Sequence, residues 1–174
     1  MNRKVKRKPW HRIKRPDYWN TVETEHLRLE PQSWWSALML ERRLVDDPEA
    51  RIKMGGSGKL RSSLQILRRY RGPNGCSRHT HAIIDKATGE MIGYHKIGLH
   101  NYRKATLIIV MLKRDKSVRG FAKEARTALL RHFVNLAGVE LFLGEVNTRN
   151  FASVQLYNQL GFERSGILHN LGYD

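Results

Sequence analysis

Apolar and polar positions change their spacing several times along this chain, and each change marks an element. Thr24-Glu25-His26-Leu27-Arg28-Leu29 alternates with the two-residue period of a half-buried strand, and Pro31 ends it. Ser33 suits the N-cap of a helix that carries Trp34, Leu38, Leu40 and Leu44 and closes at Asp46-Asp47-Pro48. Leu64 to Tyr70 reads as a second, short helix with a basic face. His79 to Asp85 and Met91 to Leu99 pair as a hairpin around Ala87-Thr88-Gly89-Glu90, and Asn101 to Lys104 turns the chain into the next strand.

That next strand is the apolar, β-branched run Leu107 to Leu112, which predicts burial on both faces. After a polar loop, Gly120 opens a helix whose apolar positions, Ala122, Ala125, Leu129 and Phe133, recur at helical spacing until Gly138 stops it. Val139 to Val146 is a further strand, interrupted by Glu145. Asn150 can cap a last helix through Leu160, with Ala152, Leu156 and Leu160 as its packing stripe. Gly161-Phe162 then leads to a final strand around Ile167. The order predicts one α/β domain: a central mixed, mainly antiparallel twisted sheet flanked by helices, without internal repeats.

Strand, tight turn and helix start make an anion site at Gly120. Amides from Val118 to Ala122 converge there, the helix dipole favours negative charge, and the small residues Gly120 and Ala122 let a phosphate approach the backbone. Two other motifs carry less. Gly55-Gly56-Ser57-Gly58-Lys59 has neither the Ser or Thr after its Lys nor the preceding strand of a nucleotide loop. Cys76, His79 and His81 lack the second cluster a metal finger needs, so no metal is expected; His95 and His100 read as satisfied strand or turn residues.

Composition changes the picture in one respect. The 174 residues hold 32 Lys+Arg against 16 Asp+Glu, a formal net charge of +16. Arg3, Lys4, Lys6, Arg7, Lys8, Arg12, Lys14 and Arg15 fall within residues 1–16, which hold no acid. Those residues read as a disordered basic arm in front of a domain over 17–174, and the excess charge suits polyanionic partners, nucleic acid or a ribosome among them. One cysteine excludes an intrachain disulfide framework, and no run nears the ~20 apolar residues of a membrane span. The basic start lacks the apolar segment of a secretory signal, so a cytoplasmic protein without membrane contact is expected.

Gly120-Phe121-Ala122-Lys123-Glu124-Ala125, Glu145-Val146, and Asn150-Phe-Ala-Ser153-Val-Gln-Leu-Tyr157-Asn-Gln-Leu-Gly161-Phe162 together resemble the GNAT N-acyltransferases. The branch that acetylates N-termini of ribosomal proteins is the nearest likeness, and Thr24 to Leu29 resembles its opening strand. The resemblance implies acetyl-CoA as co-substrate and direct transfer to a primary amine on a protein, an N-terminus or a lysine. It places the pyrophosphate on Val118, Arg119, Gly120, Phe121 and Ala122, where Ser117 departs from the family's long polar residue. It sets pantetheine along Val110, Met111 and Leu112, whose amides would polarise the thioester oxygen. Asn150 and Ser153 would contact the cofactor, Glu145 would be the base, and Tyr157 the acid that protonates the departing thiolate. Two rival readings fit the charge: acylation of a nucleic-acid base or aminoacylated RNA, and a non-catalytic module that binds nucleic acid or a partner protein.

Overall fold

The computed structural model describes residues 19–32, 77–100, 103–112 and 120–168. The basic arm, the two helices expected before Tyr70, the glycine-rich loop at 55–59, and Cys76, Ser117, Val118 and Arg119 lie outside them. Six strands form one sheet in chain order: β1 (Val22–Glu23), β2 (Leu27–Pro31), β3 (Ser77–Asp85), β4 (Met91–His100), β5 (Lys104–Met111) and β6 (Leu141–Gly144). Every neighbouring pair is antiparallel except β5 and β6, which run parallel across the helix α1 (Phe121–Ala137). A second helix, α2 (Phe151–Gln159), follows β6. The sheet is therefore mixed and mainly antiparallel, as the pattern predicts.

The α1 face of the sheet is the main core. Leu27 and Leu29 of β2, Ile83 of β3, Ile97 of β4 and Leu107 of β5 meet Ala125, Leu129 and Phe133 of α1. Each large apolar side chain among them stabilises the fold by roughly 1.5–3 kcal/mol on burial. The positions come from the two periods: alternate residues on the strands, and every third or fourth on the helix. α1 ends as expected, at Gly138, which turns left-handed (φ 61°) with its N–H on the Val134 carbonyl at 3.2 Å. The β3–β4 turn is held by Asp85, whose carboxylate accepts from Ala87 N–H at 2.9 Å and Thr88 Oγ1–H at 3.2 Å, while Gly89 supplies φ 70°.

Three expectations need correction. Thr24 to Leu29 is not one strand, because Thr24 Oγ1 accepts from Leu27 N–H at 2.9 Å and folds Thr24–His26 into a turn between β1 and β2. The strand expected over Val139 to Val146 is shorter, Leu141–Gly144, and leaves Glu145 and Val146 beyond it. Among the described residues no strand includes Ile167: residues 162–168 are irregular and Ile167 is half exposed.

Candidate active site at the parting of two strands

β5 is paired unequally on its two sides. Towards β4 its register runs through Gly93↔Met111, and Leu112 N–H still donates to the Ile92 carbonyl at 2.8 Å. Towards β6 the register stops at Leu107↔Gly144. From Ile108 to Met111 the β6-facing edge of β5 thus has no strand partner among the described residues. Backbone groups alternate sides along a strand. With Leu112 N–H turned to β4, Val110 is turned there too, and Ile109 and Met111 present their amides to the open edge. Of Val110, Met111 and Leu112, Met111 alone offers its N–H, because Leu112 is already bonded to β4 and Val110 shares its phase.

Tyr157 of α2 sits where the two strands part. Its hydroxyl donates to the carbonyl of Leu107 at 3.4 Å, the last β5 residue in register with β6. The ring lies over Gly144, where any Cβ would run into the Tyr157 ring and hydroxyl. Phe162 meets the ring edge-on, centroids 4.9 Å apart, and the Arg126 guanidinium carbon lies 4.4 Å from the ring centroid. Tyr157 is 9% exposed and Leu156 likewise, whereas Ala152 is exposed. The buried face of α2 is therefore Leu156 with Tyr157, correcting the stripe through Ala152.

At the start of α1, Gly120 is left-handed (φ 92°) and no side chain caps the helix. Its carbonyl accepts from Lys123 and Glu124, both at 3.0 Å, leaving the amides of Phe121 and Ala122 without intrahelical partners. These are the donors that the described half of the predicted loop, Gly120 to Ala122, has to offer an anion. Glu124 and Phe121 fasten this end to the β1–β2 turn. Glu124 accepts from His26 N–H at 2.9 Å and pairs with its ring Nδ1 at 3.0 Å, and His26 stacks on Phe121 with centroids 5.6 Å apart. Burial alone would raise the Glu124 carboxyl, but hydrogen bonds from Thr24 and His26, with the His26 charge, outweigh it and lower its pKa.

Asn150 caps α2, its Oδ1 accepting from Ser153 N–H at 3.3 Å, and both residues are half-buried. Glu145 is exposed, directly after Gly144, and makes no ion pair among the described residues. At the parting itself stand Leu107, Gly144 and Tyr157; Glu145 follows Gly144 in sequence, Met111 lies four residues further along the open edge of β5, and Gly120–Ala122 begin the helix that follows β5. Gly144 and Arg126 are not singled out by the sequence reading. Gly144 carries no local signal, since its role comes from a ring on another element. Arg126 does carry one: it stands three positions before Leu129 and seven before Phe133, a cation on an apolar stripe.

His95 also departs from expectation. It is fully buried, and neither of its ring nitrogens has a hydrogen-bond partner; His81, opposite it in register, is sealed in as well. His100 is satisfied by Thr106 Oγ1 at 3.1 Å. Among the described residues no three His, Cys, Asp or Glu side chains are grouped to hold a metal ion, and no helix is long and apolar enough to cross a membrane.

An open β5 edge beside an uncapped helix start suits an extended chain ending in phosphates, which is the shape of acetyl-CoA. The family model for the acetyltransferase (GNAT) domain matches residues 27–163. Solved structures agree in fold. Spermidine N-acetyltransferase from Vibrio cholerae, in complex with CoA and spermine, superposes with a TM-score of 0.68 at 18% identity, over 83% of this chain and 85% of that one. RimL, a ribosomal L7/L12 α-N-protein acetyltransferase, gives 0.66 at 16% identity over 88% and 86%. An acetyltransferase from T. thermophilus gives 0.61 at 24% over 86% and 78%. No curated protein matches the sequence. The chain belongs to the GNAT family of acetyl-CoA-dependent N-acetyltransferases.

Proposed function

We propose that the enzyme acetylates a primary amine of a protein, an N-terminus first, with Tyr157 as general acid and Glu145 as general base. The observation that carries this reading is the Tyr157 hydroxyl at the Leu107 carbonyl, where β5 and β6 part. A thioester laid along β5 would bring its sulfur towards that hydroxyl. Ile109 and Met111 turn their amides to the same edge, where they would serve the carbonyl oxygen and the pantetheine chain. An amine titrates near ~10.4 as a lysine or ~7.7–8.0 as an N-terminus, so attack at neutral pH requires loss of a proton. Glu145, exposed just after β6, would accept it from an incoming acceptor. Asn150 and Ser153, at the start of α2, and Gly120–Ala122 would hold the cofactor, together with Val118 and Arg119.

A polyamine is the acceptor of one structural relative and a ribosomal protein that of another. Net charge argues for the protein. A chain at +16 repels a polycation such as spermidine and attracts an acidic protein surface. Release of CoA thiol, followed with N-terminal peptides of acidic sequence and with spermidine, is expected to show turnover with the peptides. Tyr157→Phe keeps the ring beside Arg126 and over Gly144, and should lower turnover by ~10²–10⁴-fold without a change in melting temperature. Glu145→Gln should lower it most at low pH, where the amine is protonated. Wild-type rates in both variants would remove both residues from the chemistry.

A further inference from the structure

Arg126 is the largest side chain sealed in the described interior. It is 1% exposed, its Nε and Nη1 have no hydrogen-bond partner, and it forms no ion pair among the described residues. A buried cation without a counter-charge is costly, far beyond what a ring face recovers. Among the described residues its neighbours supply no anion. His95 is held neutral, first by burial and then by Arg126 itself and His81. Tyr157 faces it, with the ring centroid 4.4 Å from the guanidinium carbon.

The reaction supplies the missing charge. As the amine nitrogen bonds to the thioester carbonyl carbon, the C–S bond breaks and the amine's proton passes to Glu145. The sulfur leaves with the electron pair and takes the proton of the Tyr157 hydroxyl, giving CoA thiol and a tyrosinate, which solvent reprotonates before the next turnover. We propose that Arg126 is a positioning residue that acts through Tyr157, fixing its ring at the parting of β5 and β6 and stabilising the negative charge shared by its oxygen and the departing sulfur. The inference rests on the reading of Tyr157 as the acid. Burial lowers the Arg126 guanidinium from its ordinary value, and Tyr157, by charge and hydrogen bond, works the other way.

The test needs no acceptor. Calorimetry compares CoA with desulfo-CoA, which lacks the sulfur, at a pH of about 9, above the ~8.5 of an ordinary thiol. The wild-type chain should bind CoA roughly 10-fold more tightly than desulfo-CoA, the thiolate sharing the Tyr157 proton beside the buried cation. Arg126→Met should lose that preference while desulfo-CoA affinity stays within about two-fold, since a merely structural loss would weaken both ligands together. Arg126→Gln repeats the reading should the Met variant fold poorly, and Arg126→Lys, which keeps the charge, should retain part of the preference. Tyr157→Phe should lose it as fully as Arg126→Met, and the double variant should lose nothing more. A preference kept in the Met and Gln variants but lost in Tyr157→Phe overturns the role of Arg126 and leaves Tyr157 as the acid. A preference kept in Tyr157→Phe, or absent from the wild type, overturns the coupling itself.

Discussion

The two helices that meet at Tyr157 begin in opposite ways. α1 starts at a left-handed glycine without a side-chain cap, so its first amides are left for an incoming group. α2 starts at Asn150, which satisfies the Ser153 amide with its own side chain. Below their first turns the contrast reverses. α1 presses against a layer of histidines in the sheet: Phe133 meets His79 and His81 at centroid distances of 6.2 and 5.9 Å, and Arg126 stands beside His95. α2 contributes Leu156 and Tyr157. One helix is open at its end and polar beneath; the other is closed at its end and packs through an aromatic ring. On the proposed reading the free backbone donors of α1 would bind phosphate and the held hydroxyl of α2 would deliver a proton, complementary needs of one reaction.

The largest way to separate the two helices is acid. Burial lowers His79 to about 4, and burial with His132 and His79 lowers His81 to about 3, while burial, Arg126 and His81 lower His95. The unfolded chain takes up protons on these rings below about 6.5, and the folded chain does not. The stability they give is therefore full above about 6.5 and falls as pH drops towards 4. Each ring contributes up to ~1.4 kcal/mol per pH unit across that window. Denaturant melts at pH 7 and pH 5 should differ by several kcal/mol, and amide exchange at pH 5 should rise first in α1. Equal stability at the two pH values would show the histidines protonated in place. His81→Phe should flatten the profile.

Next in size is the open end. Gly120→Asp puts a carboxylate where phosphate would sit and a side chain at φ 92°. Acetyl-CoA affinity should fall at least ~10²-fold, about 2.7 kcal/mol. A folded variant with wild-type affinity would remove the phosphate from α1.

Much of this is legible in the chain. The stripe Ala125, Leu129, Phe133 and the stop at Gly138 follow from helical spacing and from glycine's freedom, both local properties. The edge of β5 is not local. Leu107 to Leu112 reads as one uniform apolar run, yet its phase and the end of its pairing with β6 depend on Gly144, beyond α1 in a different element. The same holds for His95, which looks like an ordinary polar residue in its own segment and is sealed away only by the stacking of α1 on the sheet; Arg126 shows its place on the apolar stripe, but not its partner, in its own segment. Tyr157 is legible as the acid through the family resemblance alone. Periodicity leaves it out of the packing stripe, because Ala152 suits a core position without occupying one.

The smallest effect concerns the closed end. Asn150→Ala removes the acceptor for Ser153 N–H and should cost ~1 kcal/mol, a fall of roughly 2–4 °C in melting temperature. That loss alone does not say whether Asn150 also touches the cofactor. Asn150→Asp separates the two roles. A carboxylate caps as well as an amide and favours the helix dipole, so the melting temperature should stay at the wild-type value. It has no N–H₂ to donate, however, and adds a negative charge close to the phosphates. If the side chain serves the cofactor as well as the helix, acetyl-CoA affinity in Asn150→Asp should fall several-fold, the ~0.5–1.5 kcal/mol of one hydrogen bond, while the fold is untouched. Unchanged affinity would make Asn150 a cap and nothing more, and the contrast between the helices would then be complete: α1 binds with its end, and α2 acts only through Tyr157.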